Sequence, residues 1–374
     1  SIGTEEQGRF TTRLGDINGD GWPDFALSAE EYVRETRIFF GGPGILDDKP
    51  DARMKGGKNA LVGDFNHDGL TDLACVRRRT GYNDGNEDTL FFYMGIQGAV
   101  LKLDTIAAYQ HPGGVTGMYG DYMFVADLNA DGFDDLVLSD GQYTVHLYLG
   151  SRQFSGTLDY DIKSQQEKWT SHFWGWGLQV GDVNGDGYQD LCIGELYKKI
   201  PVADVMTASN YRLNIFHGGP NISFENIKPN QIFDEQWLPG YDSVRSDHKW
   251  WVHTASILDF TGDGIADIYA VNSGYRRDSA HIFAGGRDSV DYIADIVQHD
   301  KVEPGGPFGF SVWNAAFDAR DINNDGYRDF AIRMEYFGSI LIFFAGSPTG
   351  IIDIPIASAA SGGEYGTYST AIED

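Results

Sequence analysis

The chain has 374 residues, room for one large domain or two to three small ones. Its 55 acidic residues against 28 Lys and Arg give a formal charge of −27, which argues against nucleic acid, because an acidic surface repels phosphate. With 41% hydrophobic and 14% aromatic residues the chain is not disordered, and no apolar run of about 18 residues offers a membrane-spanning helix.

Beside this acidity stand 48 glycines, a combination that points to many tight turns or many metal loops. Taken in chain order, one unit recurs. Its first copy, Asp16-Ile-Asn18-Gly-Asp20-Gly21-Trp22-Pro-Asp24, leads into the apolar run 25–27 and then a run ending at Gly41. The second is Asp64-Phe-Asn66-His-Asp68-Gly69-Leu70-Thr-Asp72, with a later run ending at Gly95. The third, Asp127-Leu-Asn129-Ala-Asp131-Gly132-Phe133-Asp-Asp135, follows the alternating stretch 122–126 and precedes runs at 136–138 and 145–150. The fourth is Asp182-Val-Asn184-Gly-Asp186-Gly187-Tyr188-Gln-Asp190, and the fifth Asp259-Phe-Thr261-Gly-Asp263-Gly264-Ile265-Ala-Asp267. The sixth, Asp321-Ile-Asn323-Asn-Asp325-Gly326-Tyr327-Arg-Asp329, follows the stretch 309–317, and its last run ends at Gly346.

Runs this short, aromatic and Gly-bounded are predicted strands, and a fourth, less regular strand fills each remaining stretch. Four strands repeated at about 60 residues predict an all-β fold, a β-propeller of four-stranded antiparallel blades, with residues 1–374 as a single domain. The tail from Glu364 to Asp374 resembles a seventh first strand, so six complete repeats plus a partial seventh are expected, with a seven-bladed ring as the alternative. Cys75 and Cys192 lie in apolar runs and are expected to be buried free thiols. The chain opens on Ser1 rather than Met, as expected where a leader or upstream domain has been removed.

From residue 8 to about residue 346 the chain resembles FG-GAP (VCBS) repeats, the units of the integrin α-subunit propeller and of integrin-like fungal and bacterial propellers. That resemblance implies metal ligands at the side chains of positions one, three, five and nine and the backbone carbonyl of position seven. In this sequence these are Asp16, Asn18, Asp20, Asp24 and the Trp22 carbonyl, then Asp64, Asn66, Asp68, Asp72 and that of Leu70. They continue as Asp127, Asn129, Asp131, Asp135 with Phe133, and Asp182, Asn184, Asp186, Asp190 with Tyr188. The last two sets are Asp259, Thr261, Asp263, Asp267 with Ile265, and Asp321, Asn323, Asp325, Asp329 with Tyr327. Oxygen-only ligation by flexible carboxylates suits Ca²⁺, so about six ions are expected, acting as structural staples and not in catalysis. Thr261 stands where the other copies have Asn, and its shorter hydroxyl predicts the weakest site.

In an antiparallel four-stranded blade, loops one-to-two and three-to-four share one end, and the remaining connections share the other. The long insertions fall at that second end, and they are rich in aromatics: the stretches 168–176 and 237–253 hold six of the eight tryptophans. Trp174, Tyr241, Arg245, His248, Trp250 and Arg276 are candidate ligand-binding residues there, whereas Trp176 and Trp251, beside first strands, read as packing. The reading is an extracellular, calcium-stabilised recognition module, secreted or at the cell surface, for glycan or protein. Millimolar calcium outside cells fills weak sites. One alternative is a polysaccharide lyase using Tyr241, Arg245, His248 and His253; the other is an integrin-like adhesion or surface-assembly domain of a longer protein. No nucleophile elbow, phosphate loop or HExxH pattern is present, so the enzyme reading is the lesser one.

Overall fold

A computed structural model describes residues 10–28, 35–44, 49–55, 58–77, 89–95, 104–110, 123–139, 144–163, 178–197, 210–234, 255–272, 279–287, 289–290, 296–299, 316–327, 329–335, 339–345 and 355–360. The chain groups into two compact units, Ser1–Ile162 and Lys163–Asp374. The secondary structure of the described residues is strand and turn; they hold no helix that is long and apolar enough to cross a membrane.

The first unit holds three sheets. β1 (Phe10–Gly15), β2 (Asp24–Ser28), β3 (Glu35–Phe39) and β4 (Ala52–Lys55) form one; β5 (Lys58–Gly63), β6 (Asp72–Arg77), β7 (Thr89–Met94) and β8 (Asp104–Gln110) form the next. The third is β9 (Met123–Ala126), β10 (Asp135–Ser139), β11 (Thr144–Tyr148) and β12 (Tyr160–Lys163). The second unit repeats the pattern with β13 (Gln179–Gly181), β14 (Asp190–Tyr197), β15 (Asn210–Phe216) and β16 (Gln231–Asp234). It continues with β17 (Ala255–Leu258), β18 (Asp267–Asn272), β19 (Ser279–Phe283) and β20 (Ile296–His299), then β21 (Ala316–Arg320), β22 (Asp329–Glu335), β23 (Ser339–Phe344) and β24 (Pro355–Ala360).

Within each sheet the strands pair antiparallel in chain order. Four such strands per repeat, with apolar side chains on both faces, are β-propeller blades. Strand alternation explains the two faces. In β6, Leu73 and Cys75 pack with Leu14, Ala26 and Ile38 of the first sheet, while Ala74 and Val76 pack with Met123, Leu136 and Leu138 of the third. β7 does the same, Phe91 and Tyr93 toward the first sheet, Leu90, Phe92 and Met94 toward the third. In the second unit, Cys192, Leu213 and Ile215 meet Ile257, Ile268 and Phe283 in the same manner.

Both cysteines are buried and free. Burial pushes the Cys75 thiol up to about 12 and raises that of Cys192 well above the usual range, so neither is a reactive thiolate. Six sheets lie among the described residues. The tail 364–374, on which a seventh blade depends, lies outside them.

Candidate metal centres

Each Asp-rich loop joins the first strand of its sheet to the second, and position nine is the first residue of that second strand: Asp24, Asp72, Asp135, Asp190, Asp267 and Asp329. Position six is Gly in the left-handed region in every copy, from φ 82° at Gly69 to φ 92° at Gly326. Position four is left-handed too, including His67 (φ 54°), Ala130 (φ 57°) and Asn324 (φ 59°), where no glycine relieves the strain. The sequence reading missed this, because Gly, His, Ala and Asn share no chemistry that marks a backbone angle.

Inside the loop the carboxylates engage backbone amides. In the first copy the N–H of Asp20 donates to Asp16 Oδ1 at 2.9 Å and that of Gly21 to Asp16 Oδ2 at 2.7 Å. Asn18 clamps position five twice: its Oδ1 accepts from the Asp20 N–H at 3.0 Å, and its Nδ2 donates to Asp20 Oδ2 at 3.1 Å. The Trp22 N–H closes the turn on Asp20 Oδ1 at 2.8 Å. The second, third, fourth and sixth loops repeat this set. The fifth departs from it. Thr261 makes no such clamp, the Gly262 N–H joins Asp259 Oδ1 at 2.6 Å, and Thr261 Oγ1 is buried with no hydrogen-bond partner.

Position nine behaves differently from the rest. Its Oδ2 accepts the N–H of position two in all six loops, at 2.7–3.0 Å. Its Oδ1 accepts the N–H of the glycine one or two residues past the third strand, in the five copies whose glycine is described: Gly41, Gly95, Gly150, Gly218 and Gly285. These aspartates are 0–1% exposed. Burial, only partly opposed by the donated N–H groups, holds Asp72, Asp190 and Asp267 up at about 6 and Asp135 at about 7, and raises Asp24 as well.

The residues fit a hard divalent cation in chemistry, with three carboxylates, an amide or hydroxyl and a backbone carbonyl per loop, all oxygen. The burial of the position-nine carboxylates agrees with that, as does the orphaned Thr261 hydroxyl. The side chains do not converge on one point, however. Among the described residues no group of three or more His, Cys, Asp or Glu is placed to hold a metal ion, because positions one and five are turned onto the loop's own N–H groups.

Trp174, Tyr241, Arg245, His248, Trp250, His253 and Arg276, the candidates for ligand binding or lyase chemistry, lie outside the described residues. The loops themselves carry exposed apolar groups that sequence reasoning left aside. Position seven presents Trp22 (45% exposed), Tyr188 (38%) and Tyr327 (38%), its carbonyl having been the only part assigned a role. Also unforeseen is a wholly buried carboxylate, Glu195 on β14, bonded by Arg212 Nε and Asn214 Nδ2 from β15.

A family model described as FG-GAP-like repeat matches residues 127–193, a stretch that contains the third and fourth loops. Integrin alpha-PS3 of Drosophila melanogaster is 29% identical over 174 residues, covering 40% of this chain and 15% of that protein. Integrin alpha-5 of Xenopus laevis is 22% identical over 304 residues, covering 69% of this chain and 27% of that protein. The matched part thus spans less than a third of either relative's length. Among solved structures, BBS1N in complex with ARL6DN, soaked with mercury, superposes at a TM-score of 0.48 and 7% identity over 96% of this chain and 83% of that one.

Proposed function

We propose that this chain, similar to FG-GAP repeats over residues 127–193 and to integrin α subunits, is an extracellular recognition module, stapled by calcium, that binds glycan or protein. The carrying observation is the six-fold recurrence of one oxygen-rich loop at the same strand junction, on a chain similar to integrin α subunits. Calcium is held by the thirty positions named from the sequence, with positions one and five turning from the loop N–H groups onto the ion. The staple stands at one end of each blade and leaves the insertions at the other end free to vary, the usual division between scaffold and binding loops.

Recognition belongs to those insertions, through Trp174, Tyr241, Arg245, His248, Trp250 and Arg276. Aromatic faces stack on the apolar faces of sugar rings, while Arg and His bond hydroxyl or carboxylate groups. The similarity to integrins supports a second reading, an adhesion or surface-assembly domain of a longer protein that takes a protein partner through the same loops.

A glycan array probed with the calcium-loaded chain, beside an absorbance assay for unsaturated uronate products, tests the reading. The expected result is glycan binding that falls at least tenfold in Trp250→Ala or Arg245→Ala, with no turnover. Cleavage of uronate polymers abolished by His248→Ala or His253→Ala replaces the binding reading with the lyase. Neither binding nor turnover points to the adhesion reading.

A further inference from the structure

We propose that calcium binding is positively coupled between loops two and three and between loops four and five, and that Asp134 strengthens the coupling of the first pair; this rests on the calcium reading above. The observation is a main-chain strap between neighbouring loops. In the first unit the N–H of Asp134, position eight of loop three, donates to the carbonyl of Asp64, position one of loop two, at 3.3 Å. The N–H of Ser151, which follows Gly150, donates to the Phe65 carbonyl at 2.9 Å. In the second unit the same two bonds recur between loops five and four: Ala266 N–H to the Asp182 carbonyl at 2.8 Å, and Gly286 N–H to the Val183 carbonyl at 3.2 Å. The strap thus recurs in two pairs of adjacent loops, one in each unit.

Its position makes it a carrier of coupling. Position one supplies a carboxylate to its own loop's ion, and its main chain is pinned by position eight of the next loop. Position eight lies between the position-seven carbonyl and the position-nine carboxylate, both ligands of the next loop's ion. Filling loop three fixes positions seven to nine, which fixes the donor that holds Asp64, so loop two has less ordering left to do when its own ion arrives. A second ligand that meets an already ordered site binds more tightly, and the effect is reciprocal.

The pair of loops two and three has a further link. Position eight is Pro23, Thr71, Gln189, Ala266 and Arg328 in the other copies, and carboxylate only at Asp134. Asp134 Oδ2 accepts the N–H of Asp64 at 2.8 Å, so both main-chain groups of Asp64 are held by one residue of the next repeat. Gly63 leaves room for it: a Cβ there would stand 3.3 Å from Asp134 Oδ2 and 2.9 Å from Val125 Cγ1. Asp134 is thus a positioning residue, acting on loop two through Asp64 and not as a ligand of its ion.

Hydrogen exchange followed by mass spectrometry reads each loop separately in the intact chain. The quantity measured is the calcium concentration that half-protects the peptide covering residues 61–73. Asp131→Asn, which disables loop three, is expected to raise that midpoint by roughly fivefold or more, the lower end of typical coupling. Asp263→Asn in loop five leaves it in place. Asp134→Ala raises the midpoints of loops two and three together, because the coupling is reciprocal, but leaves loop three's in place once Asp68→Asn has disabled loop two; Asp134→Asn, which keeps an acceptor oxygen, restores both. A loop-two midpoint indifferent to Asp131→Asn overturns the coupling while leaving the calcium reading intact. If calcium protects no loop of the unaltered chain, the calcium reading itself fails.

Discussion

Position four of the loops takes the left-handed backbone conformation in all six copies, on residues of differing tolerance for it. Gly19, Gly185 and Gly262 take the left-handed conformation freely, and Asn324 takes it at little cost. Ala130 has no such excuse, and left-handed backbone costs an L-residue roughly 1–2 kcal/mol. Glycine adds back about 0.5–1 kcal/mol through the unfolded chain. Ala130→Gly is therefore expected to stabilise the fold by up to about 1 kcal/mol, seen as a slightly higher urea midpoint, and Ala130→Asn to do the same. Two destabilised variants would show that the loop relaxes this strain in another way. The glycine at position six was legible from the sequence, because only a sharp left-handed turn accounts for its return in every copy. Position four was not, since tolerance of an angle leaves no shared side chain to read.

At the scale of the element, the strand boundaries were legible and their cause was not. Apolar runs ending at Gly41, Gly95, Gly150 and Gly346 marked the third strand of four blades, and β3, β7, β11 and β23 fall where those runs lie. The reason for the glycine appears only with the fold. A Cβ on Gly41 would stand 2.2 Å from the Pro23 carbonyl oxygen, and one on Gly150 2.4 Å from that of Asp134; in both, the obstacle is the backbone of position eight. The same glycine gives its N–H to the position-nine carboxylate, so the close approach and the hydrogen bond are one feature. Position nine, readable in sequence only as a ligand, proves also to be the clasp between the loop and the third strand. Gly42, the next residue, meets nothing within 4 Å. Gly41→Ala is accordingly expected to lose about 1–3 kcal/mol by overpacking, with Gly42→Ala near neutral. Chemical denaturation of the two variants side by side checks it; equal losses would mean that the clasp does not depend on this approach.

For the molecule as a whole the question is how so acidic a chain stays folded. Eighteen of the 55 acidic residues sit at positions one, five and nine of the six loops, so a third of the acidity is gathered where the first strand of each blade meets the second. Backbone N–H groups meet these carboxylates, but a dipole does not cancel a charge, and burial raises Asp72 and Asp135 in spite of the N–H groups they accept. Six Ca²⁺ ions would bring the formal charge to about −15 and place the countercharge where the repulsion is. At a free calcium concentration a hundred times Kd, each site filled only in the folded chain adds about 2.7 kcal/mol, so even two or three sites dominate the stability of a domain. Thermal melting with calcium and with EGTA is expected to show a large fall in midpoint on chelation. Raising the salt from 10 mM to 0.1 M shortens the Debye length from about 30 to about 10 Å. That change should recover part of the loss in EGTA while moving the calcium-loaded midpoint little, because repulsion between loops is screened by salt but a filled site has already neutralised it. A midpoint unchanged by EGTA would dismiss calcium as the staple, and a loss indifferent to salt would place its action in ordering the loops, not in relieving their charge.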